Sequence, residues 1–179
     1  MKAREYFILI FLIFCTFFKA EAQKEFTAGV RVQKGVNLYL ENGIFFTYHI
    51  NGFMSGKTAV GLKYVSSRFG SAIGTNAVKQ DNLMLFGNYL FRKEKKLKPF
   101  IDLNFGLFHA DYESDIFNDL PNNSLLVSLE PGINYPVNEQ ISIMTSFGYN
   151  FITGDGVSGP GTLYPLFYQF SVGYKILKK

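Results

Sequence analysis

Two histidines are the side chains of this 179-residue chain best suited to act as catalytic bases. Hydroxyl attack on an ester requires a base within hydrogen-bond reach of the nucleophile. His109 is the better candidate of the pair His49 and His109, but the residues two and three positions after it are Asp111 and Tyr112, so no serine stands at either position. Three serines could act with it only if the fold brought them to His109 in a way that the sequence does not indicate: Ser66, Ser67 and Ser114. We therefore predict no catalytic residue, and an enzyme centred on His109 remains the alternative.

Five charged residues stand in segments where polar and apolar residues alternate: Arg31, Lys63, Asp102, Glu130 and Lys175. If these segments are strands, alternation places all five on the face that carries small polar residues. In a narrow interior they should pair, because an unpaired buried charge costs several kcal/mol. We interpret them as a structural charge cluster inside the fold, with an ion path as the alternative.

Three short motifs resemble ligand sites without meeting their requirements. Gly154–Gly159 matches G-x-G-x-x-G, but it enters a proline-containing loop instead of a helix. Gly56-Lys57-Thr58 resembles the end of a phosphate-binding loop, but Asn51 occupies the position of the first glycine that such a loop requires. Four carboxylates lie close together in the sequence and could hold a divalent cation weakly: Asp111, Glu113, Asp115 and Asp119. Ile116 stands where an EF-hand would need glycine, so a solvated loop is the better interpretation. The sequence predicts neither a cofactor nor a metal site.

The composition excludes several other classes of protein. Apolar residues make up 47% of the chain and aromatic residues 17%, which is enough apolar surface to exclude disorder. The net charge of +4 comes from scattered basic residues, so no nucleic-acid partner is predicted. The densest charge cluster, Arg92–Lys98, is interpreted as a solvated turn, with contact to inner-leaflet phosphates or to a periplasmic partner as the alternative.

The first 22 residues have the pattern of a signal peptide. Lys2 and Arg4 precede the apolar run Tyr6–Phe18, and Ala20-Glu21-Ala22 follows it. A run of 13 residues suits a signal-peptide core, whereas a membrane-spanning helix needs about 20. We predict a signal peptide over 1–22 and a single domain over 23–179. The only cysteine, Cys15, lies in the segment predicted to be removed, so no disulfide is expected.

Period-two alternation predicts eight strands in the remaining chain. The register of the fourth strand is the least defined. The expected spans are 25–33, 44–50, 57–66, 82–91, 99–109, 124–136, 140–151 and 164–177. Long connections rich in Gly, Asn, Asp and Ser, at 34–43, 67–81, 110–123 and 152–163, alternate with short ones at 51–56, 92–98 and 137–139. With an exported amino terminus, the short turns and both termini would face the periplasm and the long loops would face outward.

The bulk of the side chains indicates which face of the sheet meets lipid. In the last four strands one face carries mostly Leu, Ile, Phe and Tyr, which would overfill the lumen of an eight-stranded barrel. The other face carries mostly Gly, Ser and Asn, with few of the charges of a water-facing surface. Aromatic belts are expected near the periplasmic ends, at Phe26, Tyr48, Tyr89, Phe91, Phe100, Tyr135 and Tyr174, and near the outer ends, at Tyr64, Phe147, Tyr149, Tyr164 and Tyr168. The fold class predicted is all-β: an eight-stranded antiparallel up-and-down transmembrane β-barrel.

Over residues 23–179 the chain resembles the small eight-stranded outer-membrane proteins, the OmpX-like and OmpA-transmembrane-domain-like group. The resemblance rests on the signal peptide, the eight alternating segments, the order of short turns and long loops, and the last strand, Gln169–Ile176. The chain departs from the group by ending in Leu177-Lys178-Lys179 rather than in an aromatic residue. Pro131 lies within a predicted strand and cannot donate to a strand ladder, so we expect a bulge there.

The resemblance implies a bacterial outer-membrane location and a non-enzymatic role in membrane integrity or surface interaction through the outer loops. The lumen is expected to be plugged by side chains. The partners expected are outer-membrane lipids and lipopolysaccharide, the barrel-assembly machinery and an extracellular ligand at the loops. Two alternatives remain open: a lipid A-modifying enzyme of the deacylase or acyltransferase type, and a narrow channel. The oligomeric state is not indicated by the sequence.

Overall fold

The structure is a computed structural model, and it describes residues 25–35, 40–50, 54–69, 78–112, 122–153 and 166–177. The predicted signal peptide lies outside these ranges. Within them, no helix has the length and apolarity needed to cross a membrane. The expected architecture is confirmed: the described residues form a closed antiparallel barrel in which each strand pairs with the next and the last pairs with the first.

Eight strands build the wall of the barrel. They are β1 Glu25–Gly35, β2 Leu40–Ile50, β3 Thr58–Phe69, β4 Val78–Leu90, β5 Lys98–Tyr112, β6 Asn123–Pro136, β7 Ile141–Thr153 and β8 Leu166–Leu177. All eight were predicted, but most extend further towards the long loops than expected. At 34–43 the predicted loop is mostly strand, because β1 reaches Gly35 and β2 begins at Leu40.

The two ends of the barrel differ. We call the end with the β2–β3, β4–β5 and β6–β7 connections the turn end; Glu25 and Leu177 also lie there. The opposite end, with the other four connections, is the loop end. β4 pairs with β3 in unbroken register from Val78↔Phe69 to Tyr89↔Thr58, and with β5 from Val78↔Tyr112 to Leu90↔Phe100. These ladders define the register of the fourth strand, which the sequence left least defined.

The expectation of a bulge at Pro131 is wrong. Leu129 pairs with Tyr149 and Gly132 with Ser146, so the β6–β7 register is the same on both sides of the proline. On its other side Pro131 pairs with Ile101 in a continuous ladder. The missing donor therefore interrupts one ladder locally without inserting a residue. The register shift that does occur lies between β1 and β8, at Phe26/Thr27 near the turn end.

The two faces of the wall differ as the alternation predicted. Large apolar side chains project outward around the whole barrel, with Phe147 being 72% exposed. The interior is polar, but it also holds bulky apolar residues from several strands: Phe45, Met84, Phe86, Leu90, Phe100, Phe108, Leu126 and Phe167. The assignment of Phe100 to the periplasmic aromatic belt is wrong, because the even-numbered residues of β5 point into the barrel and Phe100 is 3% exposed. Tyr164 lies outside the described residues.

Candidate functional site

Four charged side chains from four strands meet in the middle of the barrel. Nζ of Lys63 on β3 lies 2.6 Å from Oδ2 of Asp102 on β5 and 3.1 Å from Oε2 of Glu130 on β6. The other carboxylate oxygen of Glu130 lies 3.3 Å from Nη2 of Arg31 on β1. All four residues are buried, and Glu130 is 0% exposed. The two cations and two carboxylates therefore balance, and we call these four residues the central cluster.

Neutral donors and rings complete the central cluster. Asn88 donates to Asp102 over 2.5 Å, and Asn104 donates to Glu130 over 3.1 Å. Nζ of Lys63 also lies 4.3 Å from the centre of the Phe86 ring, within the range of a cation–π contact. Each of the four charged groups thus has at least one oppositely charged partner, and both carboxylates also accept hydrogen bonds from amides, which is the condition for a buried ion pair to be tolerated.

Lys175 does not join the other four residues with which the sequence grouped it. Its Nζ lies 2.7 Å from Oε1 of Glu25, and both side chains are only partly buried. On β8, Ser171 is the residue opposite Arg31, whereas Lys175 is opposite Thr27. Four residues of strand correspond to about 13 Å, so Lys175 lies well towards the turn end.

A second polar group was missed by the sequence reasoning because its carboxylate, Glu41, falls in the predicted loop 34–43. The buried carboxylate of Glu41 on β2 accepts hydrogen bonds from Gln33 on β1 and Gln80 on β4, the latter over 3.2 Å. Nη2 of Arg31 donates to Gln33 over 2.6 Å and joins this group to the central cluster. The alternation of Phe45 and Thr47 continued backwards along β2 would have placed Glu41 inside.

An apolar layer lies beside this second group, between the central cluster and the loop end. It consists of Val65, Met84, Phe108, Ala110 and Leu126, from β3, β4, β5 and β6, all of them buried. Phe108 is four residues further along β5 than Asn104, which touches the central cluster. From its middle towards the loop end, the interior is thus filled by a charged layer, followed by an apolar layer that lies next to a hydrogen-bonded one.

His109 lies on the outer surface near the loop end and forms no hydrogen bond with a serine in the part of the chain that the structure describes. Its Nδ1 lies 2.7 Å from Oδ1 of Asn123. Asp81 is its neighbour on β4, and Ser66 follows Asp81 on β3, so a carboxylate separates the histidine from that hydroxyl. Ser66 hydrogen-bonds to Asp81. Ser67 points inward and is buried.

The remaining candidates are placed as follows. Ser114 and the acidic residues Glu113, Asp115 and Asp119 lie outside the described residues. Asp111 is exposed on the outer surface, where its Oδ2 lies 3.4 Å from Nζ of Lys79. His49 faces the interior at the turn end, 3.8 Å from Oε1 of Glu25.

A closed barrel with an apolar exterior and a polar, ion-paired interior is the architecture of a small outer-membrane β-barrel protein. None of the protein-family models and none of the curated proteins compared with this chain matches it. Several solved structures do.

The N-terminal β-barrel domain of Pseudomonas aeruginosa OprF is similar with a TM-score of 0.60 and 15% identity, over 86% of this chain and 98% of that one. Neisserial surface protein A is similar with a TM-score of 0.54 and 17% identity, over 87% and 96%. The outer membrane enzyme PagL is similar with a TM-score of 0.51 and 10% identity, over 84% and 99%. The chain therefore has the fold of outer-membrane barrels, and that fold is shared by an enzyme.

Proposed function

We propose that this chain is a non-enzymatic outer-membrane β-barrel whose lumen is plugged by side chains and whose outer loops act in membrane integrity or surface interaction. The observation that carries the proposal is the filled interior. The central cluster joins β1, β3, β5 and β6, and the apolar layer follows it towards the loop end. Eight strands leave room for little more than such packed side chains.

The plug supports a structural role for the interior charges Arg31, Lys63, Asp102 and Glu130. An ion crossing the barrel would have to separate pairs that are buried and hydrogen-bonded, and would then meet apolar side chains. Lys175 with Glu25 belongs to the turn end and not to this barrier. We infer that the intact barrel does not conduct.

The wall of the barrel supports a role at the surface. β5 has 15 residues, whereas about 9 to 11 suffice to cross a bilayer. Near the loop end the exterior of β3, β4 and β5 carries exposed charges, including Arg68 and Asp81, which form a two-pronged ion pair with both contacts at 3.0 Å. Charged side chains are costly on a lipid-facing surface. These strands therefore support a wall that rises above the hydrocarbon and holds the loops away from the membrane.

The partners proposed follow from this placement. Lipids and lipopolysaccharide would surround the apolar exterior, the barrel-assembly machinery would insert the chain, and an extracellular ligand would bind at the loop end. Loops on a rigid scaffold are where binding specificity usually resides. The contact of His109 with Asn123 instead of a serine supports a non-enzymatic role, although the fold alone is compatible with catalysis.

The experiment that tests the proposal compares cells lacking the protein with cells expressing either the wild type or a variant in which 70–77 and 113–121 are replaced by short Asn-Gly turns. Electrophoresis of outer-membrane fractions with and without boiling first establishes that both forms fold. We expect the deletion to alter dye uptake or attachment to surfaces, and the short-loop variant to fail to restore it. Full restoration by the short-loop variant would exclude a role for these loops.

The plug is tested separately in planar bilayers. We expect no single-channel current from the wild type. Stable current steps from a preparation whose folding is established by its electrophoretic shift would favour the narrow channel instead.

A further inference from the structure

A cavity of about 120 Å³ lies inside the barrel between the central cluster and the turn end. Arg31, Lys63 and Asp102 line its inner part, and Lys93, Lys98 and Lys175 line it at the turn end. Because the barrel wall surrounds it, the cavity is reached along the barrel axis and not from the lipid that covers the exterior.

Positive charge is in excess around this cavity. Five cationic side chains line it, and three of them have carboxylate partners: Arg31 with Glu130, Lys63 with Asp102, and Lys175 with Glu25. The ammonium groups of Lys93 and Lys98 form no ion pair with a carboxylate in the described residues. Both are near enough to Glu25 to interact with it electrostatically, and Lys98 is also near enough to Lys175. When these three partner carboxylates are counted, of which Glu130 lies behind the lining, two of the five cations remain without a compensating charge.

Uncharged polar groups face the same space. Asn134 lines the cavity, and its side-chain oxygen is buried without a hydrogen-bond partner among the residues that the structure describes. The oxygen and nitrogen of an asparagine amide are interchangeable at the level of heavy-atom shape, so this group can present its NH₂ donors to the cavity instead. Ser142 and Asn88 also line the space. A cluster of ammonium and neutral donors is the environment that binds an oxyanion.

We propose that the turn-end cavity is a binding site for a phosphate-type dianion, with Lys93 and Lys98 supplying its charge and Asn134 a neutral donor. Two uncompensated ammonium groups match the charge of one phosphate dianion. Because the entrance lies on the barrel axis, inside the ring of strands, the phosphate of a soluble molecule reaches it more directly than a lipid headgroup outside the wall does.

The test uses inorganic phosphate as the probe and the mature protein in zwitterionic nanodiscs. Binding is measured by calorimetric titration for the wild type, for Lys93→Gln/Lys98→Gln, and for Lys95→Gln/Lys96→Gln. The last variant removes an equal number of positive charges from the β4–β5 connection, at residues that do not line the cavity. We expect saturable binding that weakens about ten-fold or more in the first variant, since charge-assisted hydrogen bonds are lost, and changes little in the second. The shift on boiling confirms that each variant is folded.

Two results would overturn the proposal: no saturable phosphate binding by the folded wild type, or equal weakening in both double variants, which would indicate only general attraction to a basic turn. A second series in nanodiscs containing an anionic phospholipid distinguishes the source of the phosphate. Unchanged affinity there supports a soluble ligand, whereas competition by the lipid alone overturns that choice and assigns the site to a headgroup. None of these measurements depends on whether the outer loops have the role proposed above.

Discussion

The ring of Phe45 on β2 lies directly over Gly29 on β1, its partner in the strand ladder. A β-carbon at Gly29 would lie 2.3 Å from Cζ of that ring and 2.4 Å from a backbone oxygen. The same cross-strand relationship recurs inside the barrel for three more pairs: Gly61 with Phe86, Gly132 with Phe100, and Gly148 with Phe167. Each ring occupies the space that its partner glycine leaves free, which lets bulky aromatics fit in a narrow lumen.

Substituting Gly29 with alanine should therefore destabilise the barrel. The added methyl group must displace the Phe45 ring and meets the backbone, and overpacking of this kind costs about 1–3 kcal/mol. The free energy of unfolding is measured by urea titration in lipid vesicles. Gly87→Ala is the matched control, because a β-carbon there meets nothing within 4 Å. An equal effect of both substitutions would mean that the glycines matter through backbone freedom and not through the rings.

Replacing Glu130 with glutamine should be among the most destabilising single changes in the barrel. It leaves the buried Arg31 without its carboxylate and leaves Lys63 with Asp102 alone, and breaking a buried ion pair typically costs about 3–5 kcal/mol. Urea titration in vesicles provides the measurement. Arg68→Gln breaks the exposed pair with Asp81 and should cost about 1 kcal/mol or less. A loss for Glu130→Gln no larger than that control would contradict the ion-paired plug.

Truncating Phe108 to alanine should empty part of the apolar layer. Phe108 is 1% exposed, and loss of such a side chain costs about 3–5 kcal/mol. Phe105→Ala, on the lipid side of the same strand, is the control, because Phe105 is 54% exposed to the surroundings of the barrel. We expect the control to lose clearly less stability in the same urea titration. The reverse order would mean that the inward and outward faces of β5 have been exchanged.

Substituting His109 with alanine should leave the lipid A of the outer membrane unchanged. The side chain is exposed and contacts Asn123, and no serine contact is present in the described residues that would make it a base. Mass spectrometry of lipid A from cells lacking the protein, expressing the wild type or expressing the variant provides the measurement. A lipid A species that requires the wild type and disappears in the variant would establish the enzymatic alternative.

Much of the fold could be predicted because a strand alternates between two environments. Leu103 and Phe105 differ from Asp102 and Asn104 in bulk and polarity, so the faces of β5 follow from its residues. Strand ends were harder to predict, because polar residues such as Glu41 and Asn42 also suit a loop. Only their pairing with β1 shows that they belong to strand β2. Pro131 suggested a bulge, but the barrel tolerates its missing donor without changing register.

The sequence alone determined the class of protein: a chain whose period-two pattern, bulky outer face and small polar inner face suit a barrel in lipid. It also indicated which charges face inward, since that depends only on odd or even position along a strand. How those charges associate depends on the stagger between strands. The tertiary structure brought Arg31, Lys63, Asp102 and Glu130 together, placed Lys175 about 13 Å away with Glu25, and set glycines opposite phenylalanines. These contacts join residues far apart in the chain, and only closure of the barrel fixes the position of each residue along the barrel axis.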